Sequence, residues 1–263
     1  MNYHRPSSLA EAVDLLAAAQ DASVLAGGQS LLAAMRLGLS APSDLVDLQS
    51  IGELQTIDVQ GDFLKVGAMV SHARIAAHPQ VTAKWRALSD LAADIADPQI
   101  RAVGTIGGSL ANNDPSACWP AGVLACDARL VTTRRTITAD EFFRGIFTTA
   151  LEHGELLTAI VFPTLARARY LKFEQQASRF ALVGVAVAQQ LTGEVRVAIT
   201  GLGQGVFRWR EAEAALQERF SVDALDGLAL DPALATDDVH ADAVYRAHLG
   251  AVLLRRAVKS IVE

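Results

Sequence analysis

Apolar positions first recur at helical spacing. Leu9, Val13 and Leu16 fall on one face of a segment opened by Ser8 and Glu11, which have the spacing of a capping box, so a helix is predicted over 8–20. A β-rich run, Ala22-Ser23-Val24-Leu25-Ala26, then enters Gly27-Gly28-Gln29-Ser30 and a helix-like segment from Leu31 to Leu37. The order is strand, glycine turn, helix. Strands are predicted at 45–48 and, after the turn at Gly61-Asp62, at 63–68; helices at 72–77 and 84–96 are closed by Pro79 and Pro98. A second glycine cluster runs from Val103 to Pro115, ahead of a helix at 119–126 and strands at 129–133 and 155–163. Beyond Arg167 the texture changes to longer strands at 170–173, 181–190 and 194–200 and a helix at 211–220. An Asp-rich stretch over 221–240 and a closing helix over 243–262 complete the chain, with no repeat of solenoid period. A domain boundary is expected near residue 167.

Composition narrows the possible functions. The 263 residues allow two domains, and 51% hydrophobic against 20% charged residues describes a compact globular chain. With 23 Lys and Arg against 29 Asp and Glu the net charge is −6, which argues against wrapping nucleic acid or lying on an anionic membrane. The longest run of apolar residues and glycine, Phe180 to Ala188, is nine residues, far short of the roughly 20 that span a bilayer. The first residues lead into a stretch carrying Glu11 and Asp14, unlike a secretory signal, and the expected location is the cytoplasm. Cys118 and Cys126 form no CxxC pair, and the six histidines show no metal-ligand spacing, so no metal site is predicted and each histidine reads as a surface or capping residue. GxSxG and the phosphate-loop pattern are absent. Gly201-Leu202-Gly203-Gln204-Gly205 reads as a structural turn, and Arg208 and Arg210 beside Trp209 as a solvated pair.

The glycine clusters carry the chemistry. Each sets adjacent glycines between a β-rich segment and a polar residue, where a turn can aim successive backbone N–H groups into one concavity that binds an anion. One such cluster alone is more often a tight turn. Two of them, Gly27-Gly28 and Gly107-Gly108, each followed within two residues by a serine, favour an extended phosphate ligand gripped from both sides, as in a dinucleotide. Neither reads GxGxxG with an acid at the expected distance, so a Rossmann unit is not supported.

At these residues the chain resembles a known family, the FAD-binding or medium subunit of molybdenum hydroxylases of the carbon monoxide dehydrogenase and xanthine dehydrogenase type. The resemblance rests on Ala26-Gly27-Gly28-Gln29-Ser30-Leu31, Pro98-Gln99-Ile100-Arg101, Gly104 to Ala111 and Asn113-Asp114-Pro115. Gly154 to Leu157 with Pro163, and Lys172-Phe173 through Ala177 to Ala181, look like later landmarks. It implies an α+β fold: a two-part vanillyl-alcohol-oxidase-like FAD-binding domain over 1–167, with lobes of about 1–56 and 57–167, and a smaller α+β domain over 168–263. It implies non-covalent FAD held by Leu25, Ala26, Gly27, Gly28, Gln29, Ser30 and Leu31 and by Thr105, Gly107, Gly108, Ser109, Asn112 and Asp114. Leu156 and Lys172 complete the implied set, and Phe180 neighbours the flavin ring. Backbone N–H groups of Gly107, Gly108 and Ser109 are expected to face those of Gly27 to Ser30 across the pyrophosphate. Cys118 stands where many relatives carry an acid, and Phe180 where some carry Tyr.

The resemblance also assigns partners. Two cysteines cannot ligate an iron–sulfur cluster by four thiolates, so the clusters belong to an iron–sulfur small subunit and the molybdenum cofactor to a large subunit, in a dimer of heterotrimers. The implied function is electron transfer from those clusters through FAD to an external acceptor. A stand-alone FAD oxidase or reductase would need a base over the flavin, and no histidine stands beside either glycine cluster in the sequence. The third reading is a non-catalytic nucleotide-binding or scaffold protein.

Overall fold

The computed structural model describes residues 1–263. Its first lobe is a parallel sheet in which β3 (Asp44–Asp47) lies between β1 (Asn2–His4) and β2 (Ala22–Leu25). The helix α1 (Leu9–Ala18) packs Ala12 and Leu16 into a small core with Val46, Leu48 and Leu54. Ser8 Oγ accepts the Glu11 N–H at 3.2 Å, as the capping box predicts, but the Glu11 carboxylate reaches back one residue further, to the Ser7 N–H at 2.8 Å. The second helix, α2 (Leu31–Arg36), ends in a Schellman motif: Gly38, at φ 71°, donates to Met35, and Leu39 donates to Ala34.

The second lobe is an antiparallel sheet of β4 (Ile57–Gln60), β5 (Phe63–Gly67), β6 (Arg129–Thr132), β7 (Thr136–Thr138) and a later strand, Leu157–Pro163. Its order is β4, β5, the Leu157–Pro163 strand, β6, β7. Between β5 and β6 run α3 (His72–Ala77), α4 (Pro79–Lys84), α5 (Arg86–Ala93), α6 (Pro98–Val103), α7 (Ile106–Asn112) and α8 (Cys118–Ala125). The helix predicted over 84–96 is α5, while α4 is an additional helix that Pro79 opens; Trp85 separates the two, and its indole N–H donates to the Pro163 carbonyl at 2.9 Å. The second glycine cluster is less of a turn than predicted. It contributes α7, with Gly107 and Gly108 in its first turn. Glycine in a helix interior costs about 1 kcal/mol against alanine, and here the reason is space. A Cβ on Gly107 would stand 2.5 Å from the Ala68 Cβ.

After a small hairpin of β8 (Phe143–Gly145) and β9 (Thr148–Thr149), entered through α9 (Ala139–Phe142), the Leu157–Pro163 strand is β10. The third sheet is antiparallel and runs β11 (Leu165–Glu174), β12 (Ala181–Gln190), β13 (Val195–Thr200), β14 (Phe207–Arg208). One face carries α10 (Arg210–Glu218) and α11 (Ala243–Val262); the other packs on α8. Both faces are covered, which is why β12 and β13 read as almost unbroken apolar runs. Small residues, Ala186, Ala188 and Ala198, meet the core around α8, while Val183, Val185, Val187, Val197 and Ile199 meet α10 and α11. The expected boundary at residue 167 falls inside β11, which begins at Leu165.

Ion pairs reinforce this junction. Arg196 pairs with Asp127 at 2.7 Å and Asp140 at 2.8 Å, and Arg208 with Glu213 at 2.7 Å and Asp140 at 3.3 Å. The solvated pair expected around Trp209 is therefore corrected for Arg208 alone, since Arg210 stays exposed at 64%. The Arg208 side chain is buried, and Trp209 is in the core, because two acids and a helix N-terminal turn close over them.

Candidate cofactor cleft

A cleft of about 470 Å³ opens between the two lobes and is rimmed by the third sheet's β11–β12 turn. That volume is within the range of small-molecule and cofactor sites. Ala26, Gly27, Gly28, Gln29, Ser30 and Leu31 form one wall; Thr105, Gly107, Gly108, Ser109, Asn112 and Asp114 form the opposite one. Leu156 lies in the lining, Phe180 stands at the rim, and Cys118 closes one end with its thiol pushed above its ordinary pKa by burial. The two glycine clusters, 80 residues apart in sequence, thus face one cavity.

Two of the residues implied by the resemblance do not line it. Leu25 ends β2 with its side chain behind Gly28, and Lys172 is sealed beneath the rim. The Lys172 ammonium donates to the Asp94 carbonyl at 2.6 Å and to the Arg179 carbonyl at 2.7 Å. It pins the loop that carries Arg179 and Phe180 rather than reaching into the cleft.

The backbone of the first wall is left open for a ligand. From Gly27 through Leu31 five successive N–H groups donate to no acceptor within the protein; the only side-chain bond in the turn is from Gln29 Nε2 to the Gly27 carbonyl. Gly28 at φ 70° supplies the left-handed residue that turns these donors to one side. The array suits an anion.

The opposite wall works differently from the sequence expectation, in which Gly107, Gly108 and Ser109 offer their N–H groups. Gly107 donates to the Ala68 carbonyl at 2.9 Å, Gly108 to Thr105 Oγ1 at 3.1 Å and Ser109 to the Thr105 carbonyl at 3.1 Å. Those donors are consumed in starting α7. What this wall leaves unbonded within the protein is the Thr105 N–H and the side chains of Ser109 and Asn112. The glycines also serve a different end. A Cβ on Gly27 would lie 2.4 Å from the Val103 carbonyl oxygen, and one on Gly104 would lie 2.9 Å from the Ile100 carbonyl oxygen. Bare backbone lets the two loops touch each other, and that contact brings the walls into one cleft.

The lining also holds Glu155 and His72, to which the sequence reading assigned no place in the site. Glu155 is buried and bound by Arg135 at 3.1 Å, Thr132 Oγ1 at 2.6 Å and the Glu152 N–H at 2.9 Å. Burial pushes its pKa up, but the Arg135 guanidinium and these hydrogen bonds outweigh it and hold the carboxyl at about 2. It fixes the loop before Leu156. His72, taken as a surface or capping histidine, is 5% exposed and lines the cleft beside Gly104. Local spacing could not reveal it, because its side-chain partner, Trp119, is 47 residues away. No histidine adjoins either glycine cluster in the sequence, and the fold brings His72 beside Gly104 from outside both.

No helix is long and apolar enough to cross a membrane. The family described as the FAD binding domain in molybdopterin dehydrogenase matches residues 1–165, and the CO dehydrogenase flavoprotein C-terminal domain matches residues 168–261. The nicotine 6-hydroxylase medium subunit of Paenarthrobacter nicotinovorans is 33% identical over 98% of this chain and 96% of its own. The carbon monoxide dehydrogenase medium chain of Afipia carboxidovorans is 36% identical over 98% of this chain and 95% of its own. Among solved structures, carbon monoxide dehydrogenase from Hydrogenophaga pseudoflava superposes with a TM-score of 0.90 at 34% identity, covering 98% of this chain and 96% of that one. These likenesses do not favour a stand-alone oxidase.

Proposed function

This chain belongs to the family of FAD-binding medium subunits of molybdenum hydroxylases, and from that premise we propose how its residues take up the flavin and what it does in an assembly. The FAD pyrophosphate is bound by the open N–H groups of Gly27 to Leu31. Thr105, Ser109, Asn112 and Asp114 hold the ligand from the opposite wall, and Gly107 and Gly108 bring that wall close. Leu156 contributes apolar lining, and Phe180 covers the ring. The single observation that carries this reading is the run of five unpaired donors on the first glycine loop, set across one cleft from the second.

Held by these residues, FAD would supply the electron-carrying chemistry between one-electron centres and an external acceptor. The protein's own work is to bind it without a covalent bond, orient it and shield one edge with the Arg179–Phe180 loop. Residues 1–167 form the FAD-binding domain and 168–263 the C-terminal one. The iron–sulfur clusters and molybdenum cofactor are held by a small and a large subunit, in a cytoplasmic dimer of heterotrimers. Similarity to the medium chains of carbon monoxide dehydrogenase and nicotine 6-hydroxylase supports this, as does a chain with two cysteines, both buried.

Acid denaturation tests the cofactor: all yellow colour is expected in the supernatant, as FAD rather than FMN. Colour in the precipitate refutes non-covalent binding. Copurification tests the assembly, and hydroxylation of a substrate by the purified single chain would overturn the relay.

A further inference from the structure

His72 is the first residue of α3, and its position is over-determined. Its backbone N–H donates to the Gly104 carbonyl at 3.0 Å, and its Nδ1 lies 3.1 Å from Trp119 Nε1. An indole N–H can only donate, so Nδ1 must be the acceptor and the proton of the neutral ring must sit on Nε2. Burial, together with the Arg101 charge, lowers the pKa of the ring to about 4 and keeps it neutral. The tautomer thus follows from one bond.

The other nitrogen has no such partner. Nε2 donates to nothing in the protein, yet it is not sealed among unpaired buried atoms, and the residue lines the cleft. The Nε2–Cδ2 edge of the ring is so close to Gly104 that a Cβ there would stand 3.0 Å from Nε2 and 3.1 Å from Cδ2. Gly104 is also where the loops meet, since a Cβ on Gly27 would stand 2.8 Å from the Gly104 Cα. His72 therefore presents one N–H at the seam between the two glycine loops. A donor with a fixed tautomer and no acceptor in the protein, on a residue only 5% exposed in the cleft lining, is placed to bond a ligand oxygen.

We propose that His72 is a cofactor-binding residue, a neutral donor whose Nε2–H bonds an oxygen of the bound FAD where the two glycine loops meet. The inference rests on the reading of the cleft as the FAD site. Being neutral, His72 adds direction without adding charge, and the anion is left to the backbone donors of Gly27 to Leu31.

His72→Asn separates this role from packing. Asn can still place an oxygen near the former Nδ1 to accept from Trp119, but it has no group at Nε2. The full-length variant is expected to fold like wild type by circular dichroism and to bind FAD about tenfold more weakly, the loss of roughly one hydrogen bond. Because the variant's fold is itself at risk, wild-type protein labelled with ¹⁵N at histidine supplies a second measurement. Long-range ¹H–¹⁵N spectra should show the proton on Nε2, and addition of FAD should shift Nε2 and slow exchange of its proton. An Nε2 resonance unmoved by FAD, or a folded His72→Asn with wild-type affinity, overturns the proposal while leaving the FAD site intact. Wild-type protein that takes up no FAD would instead overturn the cleft assignment on which it rests.

Discussion

Three neighbouring glycines separate two reasons for which a glycine is required, and substituting each by alanine tests the account of the cleft. Gly38 has φ 71° and nothing within 4 Å of an added Cβ, so Gly38→Ala isolates the left-handed backbone, at about 1 kcal/mol. Gly28 has nearly the same φ, 70°, but its Cβ would stand 2.8 Å from Leu32 Cδ1, the end of a partly exposed side chain that can swing away; Gly28→Ala should cost about 1 to 2 kcal/mol. Gly27 needs no left-handed φ. Its Cβ would sit 2.4 Å from the Val103 carbonyl oxygen, a backbone atom that can move only with its loop, so Gly27→Ala should cost about 2 to 3 kcal/mol. For a chain of this size each kcal/mol corresponds to a fall in melting temperature of about 2 to 4 °C. Differential scanning fluorimetry of the flavin-free proteins reads that ladder, and quenching of flavin fluorescence reads FAD affinity. Gly38→Ala should keep FAD affinity within about twofold of wild type, a difference under 0.5 kcal/mol. Gly27→Ala should weaken FAD by more than tenfold, because parting the loops parts the walls. Wild-type FAD affinity in Gly27→Ala would refute the claim that loop contact at Gly27 and Gly104 builds the site.

Three further outcomes follow from named contacts. Lys172→Met removes two charge-assisted hydrogen bonds to the Asp94 and Arg179 carbonyls, each worth about 1.5 to 3 kcal/mol. Arg179 holds φ 58° without being glycine, so its loop should loosen and tryptic cleavage after Arg179 should accelerate; an unchanged cleavage rate refutes the pin. Phe180→Ala should change flavin reoxidation by artificial acceptors more than FAD retention, measured by stopped flow and by equilibrium dialysis, since Phe180 stands at the rim and the phosphate donors belong to the separate turn of Gly27 to Leu31. Glu155 has its folded pKa depressed to about 2, so its contribution is present above the unfolded value near pH 4.3 and is lost as pH falls through about 2. Urea titrations between those limits should show a shallower acid loss of stability in Glu155→Gln than in wild type, and parallel curves would refute the assignment.

Residues adjacent in the chain announced much of this protein. The capping residue Ser8, the helical runs over 8–20 and 243–262 and the apolar content of β12 and β13 act within a few residues, where backbone geometry and side-chain pattern are set locally. Glycine pairs are local signals too, and they marked both walls of the cleft. Tertiary structure decided which atoms of those walls stay free. Whether a Gly107 N–H serves a ligand or the Ala68 carbonyl depends on how α7 docks beside the residue that follows β5, which no spacing within the cluster records. The same holds for Lys172, whose ammonium is used up by carbonyls from α5's end and from its own β-turn, and for His72, whose tautomer is set by Trp119 across the core. A buried polar group is committed by whichever partner the fold delivers, because leaving it unpaired costs more than a typical hydrogen bond contributes. Sequence therefore determined the elements and the site's location, and packing between distant segments determined the chemistry that each residue there has left to offer.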